Sequence, residues 1–266
     1  MTADGNTATS STRYNQELFG LVHGALDRPP ERSRQRLQWI VGQIPKDTRS
    51  ILDVGSGPGF LSTLLGQQGY RVTSIDLVLG SLLRFAGARA QADASKLPFP
   101  DRSFDVVLCA EVVEHLSDAE REAAFREMWR VSRKYVIVTV PYRERMNASL
   151  VQCDRCGVTF HPWGHRASFD ERRLRAAFPS PPTALHYHLR RTDSYHPLLL
   201  SIRQRAFGCY GQDDPTKCPA CLNSNIRPPS RSIPVRLLDR MNRWLRYRRM
   251  EGWILGIYER PLGGPA

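Results

Sequence analysis

The chain has 266 residues, with 38 lysines and arginines against 26 aspartates and glutamates, for a formal net charge of +12. That length allows one large domain, or a domain with a small added module, and the absence of any run of 18 apolar residues argues against a membrane span. The start of the chain is polar and lacks the apolar core of a signal peptide, so a reducing, cytoplasmic setting is expected, with the six cysteines serving as thiols or metal ligands rather than disulfides.

The positive charge is concentrated in residues 121–134, 166–175 and 227–250. Such a balance favours anionic partners: nucleic acid, phosphorylated metabolites or acidic lipids. The plainer reading is that arginines solvate helix faces.

In chain order, residues 1–12 are expected to be disordered, and residues 14–26 and 31–44 read as helices broken by Pro29-Pro30. Residues 45–47 turn the chain into a strand at 51–54. That strand runs into Asp53-Val54-Gly55-Ser56-Gly57-Pro58-Gly59 and then an apolar helix pattern from Leu61. A strand, a glycine turn and a helix open a doubly wound nucleotide-binding domain. The spacing is G-x-G-x-G after an acid, which is neither the G-x-G-x-x-G of dinucleotide binders nor a phosphate-binding P-loop. The glycines are expected to let the backbone approach a ligand.

A second strand at 71–75 ends in Asp76, placed to accept hydrogen bonds from two ribose hydroxyls. A short strand near 89–92 precedes Asp93. A fully apolar strand at 104–110 is followed by Glu111-Val112-Val113-Glu114-His115-Leu116, a helix at 118–131 and a strand at 135–140. Strands alternating with helices imply a mostly parallel sheet with helices on both faces.

This succession resembles the class I S-adenosylmethionine-dependent methyltransferases, in particular the ubiquinone- and menaquinone-biosynthesis-like group that methylates small molecules. The resemblance spans residues 35–145, with a closing strand near 252–260. It implies an α/β fold with a doubly wound, mostly parallel seven-stranded sheet. It also implies S-adenosyl-L-methionine as cofactor: Asp53, Gly55, Ser56, Gly57 and Gly59 at its amino-acid end, Asp76 and Leu77 at the ribose, Asp93 and Ala94 at the adenine, and Glu111 at the switch point after the fourth strand. In this reading residues 13–50 are N-terminal helices, 51–142 the cofactor-binding core and 143–266 a substrate-side half.

Beyond Pro141 the pattern changes. Cys153-x-x-Cys156-Gly and Cys218-Pro-Ala-Cys221 are two knuckle-like pairs, which together make a four-thiolate zinc site. The long gap between the pairs is no bar, because loop-closure cost grows only logarithmically with length. The alternative is unrelated reduced thiols. Both pairs fall in insertions that the resemblance places at the catalytic rim, where a metal would join them into a lid. Cys109, inside an apolar strand, reads as core, and Cys209 as incidental. His161 and His165 have three readings: zinc ligands beside Cys153 and Cys156, substrate-pocket residues, or structural histidines. His115, after the fourth strand, is a candidate general base, as is His165.

The later elements are a helix at 169–178 capped by Ser168 or Asp170, a strand at 184–189, an irregular stretch at 191–233, a basic amphipathic helix at 235–250, and a strand at 252–258. The basic helix is expected to pack as a lid, with docking on an acidic membrane surface as the other reading. The acceptor is expected to be a small-molecule, glycan or lipid-linked compound, anionic and methylated at oxygen. The alternative is a zinc-containing RNA methyltransferase. The charge favours it, but no Asn/Asp-Pro-Pro-Tyr/Phe follows the fourth strand and no cysteine nucleophile motif appears.

Overall fold

The structure is a computed structural model that describes residues 14, 16–19, 29, 31–78, 85–211, 216–245 and 247–261. The expected disorder of residues 1–12 lies outside them, as does much of the first N-terminal helix, of which Tyr14 and residues 16–19 are helical. Helix α1 (Glu31–Val41) leads to β1 (Ser50–Val54), α2 (Phe60–Gln67), β2 (Arg71–Asp76), β3 (Ala88–Gln91) and β4 (Phe104–Ala110). Then come α3 (Asp118–Val131) and β5 (Ser132–Pro141). After a small hairpin of β6 (Val151–Gln152) and β7 (Thr159–Phe160) follow α4 (Glu171–Arg175), β8 (Ala184–Asp193), α5 (Pro197–Phe207), α6 (Ile233–Leu245) and β9 (Arg248–Glu259).

Seven strands form one sheet in the order β3-β2-β1-β4-β5-β9-β8, parallel from β3 to β5, with β9 antiparallel to both neighbours. The chain reverses direction across the sheet between β1 and β4, so the carboxyl ends of these strands diverge and leave a crevice. Alternation of side chains along each strand divides the core in two. Ile51, Val106, Leu108 and Ile137 pack under Leu37 and Ile40 of α1 and Leu61 and Leu65 of α2. Leu52, Val54, Val107 and Val138 pack under Met128 and Val131 of α3. Each fully buried aliphatic side chain contributes about 1.5–3 kcal/mol.

Local signals set the helix ends. Ser117 and Glu120 close a capping box at the start of α3. At its far end the Arg260 guanidinium donates to the carbonyls of Trp129, Arg130 and Ser132 at 2.7, 3.0 and 2.8 Å. Asp170, rather than Ser168, caps α4 by accepting from the Arg173 N–H at 2.9 Å.

The carboxyl-terminal half departs from the sequence-based expectations in four places. The helix expected at 169–178 is confined to Glu171–Arg175, because Phe169 instead bridges to Tyr142. The stretch expected to be irregular holds α5, with Pro197 in its first turn and Gly208 in the left-handed conformation at its end. The basic helix stops at Leu245, and the chain is extended from Arg248 because Arg248, Arg249 and Met250 pair with Asp193, Thr192 and Arg191 of β8. Finally, the apolar side of α6 does not pack: Val235 is its buried residue, while Leu237, Met241 and Trp244 face solvent. A lid helix packed through its apolar stripe is therefore not what forms.

Candidate active site and thiol cluster

A cleft of about 670 Å³ opens at the carboxyl ends of β1, β2 and β4. Every cofactor residue expected from the sequence lines it except Gly59. Gly59, at φ +78, lies where a Cβ would come 2.7 Å from the Cβ of Phe85, so it serves packing rather than ligand approach. Gly55 is similar: it sits at φ +71, and a Cβ there would meet Val112 at 2.3 Å. Gly57, at φ +52, turns its N–H onto Asp76 Oδ2 at 2.8 Å.

Asp76 is thus held by main chain alone, since the Val78 N–H donates to its other oxygen, also at 2.8 Å. Each carboxylate oxygen keeps a lone pair free, which suits a vicinal diol. Asp53 is buried and accepts from Ser62 Oγ at 2.5 Å; burial, opposed by that hydrogen bond, raises its carboxyl to about 6. Asp93 is exposed, with Oδ1 taken by the N–H and hydroxyl of Ser95, and Ala94 stands beside it on the cleft wall. Ser56 Oγ is buried without a hydrogen-bond partner in the glycine loop. An unpartnered hydroxyl, a diol-ready carboxylate and a cleft of this size fit S-adenosylmethionine.

Glu111 lines the cleft at the switch point and is also tied to protein partners. At φ +60 its backbone is in the left-handed region, a strained state for a non-glycine residue. Its carboxylate accepts from Trp253 Nε1 at 2.6 Å and pairs with Arg36 at 2.7 Å, while Arg32 and Arg36 lie over the Trp253 ring at 5.0 and 5.1 Å. Burial pushes its carboxyl up against the pull of Arg36. The group ties α1 to β9 across the cleft, a role neither Arg36 nor Trp253 advertises in the sequence.

At the opposite end of the cleft is a buried cluster of imidazoles and carboxylates. His165 Nδ1 lies 2.5 Å from Glu144 Oε2, and His161 stacks on His165 with ring centroids 4.6 Å apart. His161 Nε2 is 3.4 Å from Glu144 Oε1 but makes no aligned hydrogen bond. Burial would raise the Glu144 carboxyl, but its contacts with His161 and His165 outweigh that and bring it down to about 2. His115 packs edge-on against His165 at 4.7 Å; burial, reinforced by His165, lowers its pKa to about 3, so it is neutral at physiological pH. Both carboxylate oxygens of Glu114 are buried without partners, and burial together with nearby Glu111 pushes its pKa well above the usual range. Two sets, Glu114–His115–His165 and Glu144–His161–His165, each bring ligand atoms within 4.8 Å of one another, a spacing that suits either proton transfer or a divalent ion. Glu144 escaped sequence reading because it sits between Arg143 and Arg145 in a stretch without periodicity.

The four cysteines converge. Cys153 and Cys221 sulfurs are 3.6 Å apart, Cys156 and Cys218 3.5 Å, and Cys156 and Cys221 3.6 Å. These spacings are too long for disulfides and close to the roughly 3.8 Å between sulfurs tetrahedrally bound to zinc. The two knuckles repeat one geometry. The Cys153 N–H donates to Val158 O and the Gly157 N–H to Cys153 O; the Cys218 N–H donates to Asn223 O and the Leu222 N–H to Cys218 O. Gly157 and Leu222 each have positive φ, at 73° and 57°. Although buried, Cys153 has its thiol brought down to about 6 by the N–H groups of Cys156 and Arg155 and the Asn223 amide. His161 and His165 group with Glu144, and the ligand set around Cys153 and Cys156 is completed by Cys218 and Cys221 rather than by the histidines. Cys109 is fully buried in β4, as expected. Cys209 is buried, with its thiol 3.8 Å from the Ser230 carbonyl.

Comparison with known proteins agrees with this geometry. Residues 52–139 match the family described as a methyltransferase domain. An uncharacterized methyltransferase of Mycobacterium sp. (strain JLS) is 32% identical over 137 residues, covering 50% of this chain and 51% of that protein. A ubiquinone biosynthesis O-methyltransferase of Rickettsia conorii is 38% identical over 146 residues, covering 46% of this chain and 48% of that protein. The chain thus spans about half the length of the curated relatives it matches. Among solved structures, an S-adenosylmethionine-dependent methyltransferase from Archaeoglobus fulgidus shares the fold with a TM-score of 0.51 at 13% identity, covering 86% of this chain and 93% of that one. The α/β core is that of a Rossmann-like nucleotide-binding fold. Residues 52–139 thus carry a methyltransferase domain, and their motif order is similar to that of the class I S-adenosylmethionine-dependent methyltransferases.

Proposed function

We propose that the protein transfers a methyl group from S-adenosylmethionine to an oxygen of a small-molecule, glycan or lipid-linked acceptor. The observation that carries this reading is the opening of the Asp76 cradle and the His165–Glu144 pair into one cleft. The name of the ubiquinone biosynthesis O-methyltransferases it resembles supports oxygen as the acceptor atom.

When bound, the cofactor would supply an electrophilic methyl group on a sulfonium, whose carbon the acceptor oxygen attacks in line as the C–S bond breaks and the sulfur leaves as a thioether. The chain's residues align and shield. Asp76, with Leu77 beside it, accepts the ribose hydroxyls, Ser56 Oγ gains the partner it lacks, and Asp93 and Ala94 frame the base. Glu144 accepts the Nδ1 proton of His165, which leaves Nε2 with a lone pair to take the acceptor's hydroxyl proton. Neutral His115 packs behind that ring and fixes its plane. Zinc held by Cys153, Cys156, Cys218 and Cys221 would have no open position, so its part would be structural. These four thiolates would then fasten the hairpin β6–β7, whose last residue, Phe160, leads directly into His161. The Thr216 hydroxyl, just before the second knuckle, donates to Pro162 O at 2.5 Å and grips the same segment.

A second reading, methylation of RNA, is favoured by the net charge of +12. Labelled cofactor incubated with cell extract, then split into lipid, glycan, metabolite and RNA fractions, separates the two. Label in the lipid, glycan or metabolite fraction is expected. Label chiefly in RNA, at a rate that survives moderate salt, would replace the first reading with the second. A protein that binds cofactor but labels nothing would remove both.

A further inference from the structure

Helix α6 is built inside out. Its inward side holds one buried apolar residue, Val235, and is otherwise fastened by polar groups: Asp239 accepts from the Tyr195 hydroxyl at 2.8 Å and pairs with Arg203 at 3.3 Å, and Asn242 Oδ1 accepts the His196 N–H at 2.7 Å. Its outward side is apolar. Ile233, Leu237, Met241 and Trp244 are 73%, 55%, 51% and 82% exposed. At about 100° per residue these four fall on one stripe, with Leu245 at its border. Arg236, Arg240 and Arg243, all exposed, flank that stripe on one side. Neighbouring α5 adds exposed Leu198 and Ile202, one turn apart, and exposed Arg205.

A globular helix with this periodicity turns its apolar stripe to the core. Here the stripe is left to solvent while the core-facing side is paired through hydrogen bonds, so the helix is held in place without using it. An exposed apolar stripe carrying a tryptophan and bordered by arginines is the composition of a helix that lies in a membrane interface, with its apolar side among the acyl chains and its guanidinium groups at the lipid phosphates. The single acid of the two helices, Asp239, is the residue turned inward, so nothing on the outer side of α5 or α6 repels an anionic surface.

We propose that α5 and α6 form a docking surface for an anionic lipid bilayer. The placement gives docking a consequence. Gln204 of α5 donates to Asn147 O at 2.7 Å, and Arg145, which lines the cleft, donates to Tyr195 O just before α5 at 2.7 Å. The helices are therefore fastened to the acceptor end of the cleft, and a bilayer under them lies beside its mouth. The docking surface stands whether or not the methyl-transfer reading does, since no cofactor residue belongs to it.

The test is co-sedimentation of the full chain with vesicles of phosphatidylcholine alone or with a third of phosphatidylglycerol. Binding to the anionic vesicles, at least tenfold weaker to the neutral ones and falling with salt, is expected. The double variant Leu237→Ser/Trp244→Ser, whose side chains are exposed and make no core, should keep its circular dichroism and thermal transition and lose binding at least tenfold. Arg236→Gln/Arg240→Gln/Arg243→Gln should lose the preference for anionic vesicles. Three results would overturn the proposal: equal binding of the Leu237/Trp244 variant and the parent, no binding of the parent to either vesicle, or a dimer in light scattering that the Leu237/Trp244 variant converts to monomer without any vesicle binding. Retention on RNA that is insensitive to Leu237 and Trp244 would equally assign the arginines elsewhere.

Discussion

At the cofactor end of the cleft the decisive contacts come from main chain: two backbone N–H groups hold Asp76, and two more, from Gly55 and Ser56, bond to Ile75 O at 2.8 and 3.0 Å. At the acceptor end they come from side chains delivered by distant segments: Glu144 after β5, His161 and His165 after the knuckle hairpin, His115 after β4. The first construction tolerates many side chains but demands particular backbone angles. The second accepts ordinary backbone but depends on each side chain and on whatever fastens the segment that carries it. The two ends should therefore fail in different ways under substitution.

The largest effect is expected at the glycine loop. Gly57→Val puts a β-branched residue at φ +52 and should abolish cofactor binding in a protein whose far-ultraviolet circular dichroism is unchanged. Measurable affinity by calorimetry would show that the loop can relax and that the backbone rule is too strict. Next is His165→Gln, which should reduce turnover about 10²- to 10⁴-fold while leaving cofactor affinity alone. A matched loss of both would mean the ends of the cleft are not separable.

Asp76→Ala should weaken the cofactor by about 2–4 kcal/mol, through loss of charge-assisted hydrogen bonds to the diol. Unchanged affinity would move the ribose elsewhere. A smaller, pH-dependent effect belongs to His115. Its folded pKa, about 3, lies below the ordinary value of 6.5, so the stability it contributes is present above pH 6.5 and is lost as pH falls toward 3. By pH 5 that loss is about 2 kcal/mol. His115→Phe should flatten this limb of the denaturation midpoint against pH, and an unaltered limb would assign it to another group. The smallest effect on the cofactor end comes from metal removal: chelation should expose residues 151–161 and 216–227 to protease and lower turnover, with cofactor affinity unchanged. Less than a few tenths of an equivalent of zinc in purified protein would end the metal reading.

The same contrast explains what could be read from sequence. Asp53, the glycines and Asp76 are legible because a parallel strand, a tight turn and a helix N-terminus impose short-range spacing, and the family resemblance adds their roles. The cysteine pairs are legible as pairs for the same reason. Their convergence was expected as well, from insertion points that the family resemblance places at one rim, and the four sulfurs do meet. Glu144, Arg36 and Trp253 carry no local pattern: their partners lie across the fold, and an isolated acid among arginines looks like a solvated surface. Helix α5 could have been found from Pro197 and Gly208. The outward apolar side of α6 could not, because periodicity shows that a helix has two faces but not which one the rest of the protein will take.

Strand β9 is the last element made and sits between β5 and β8, and β8 has no other partner in the sheet. During synthesis, ten residues of β8 therefore leave the ribosome with a free edge on both sides, and the slot beside β5 stays empty until residues 248–259 follow. Both cysteine pairs precede β9, one on each side of β8. A metal bound by then would have gathered these insertions before the closing strand arrives, and the thiol cluster would act as a clasp that keeps the slot in register for the strand that fills it.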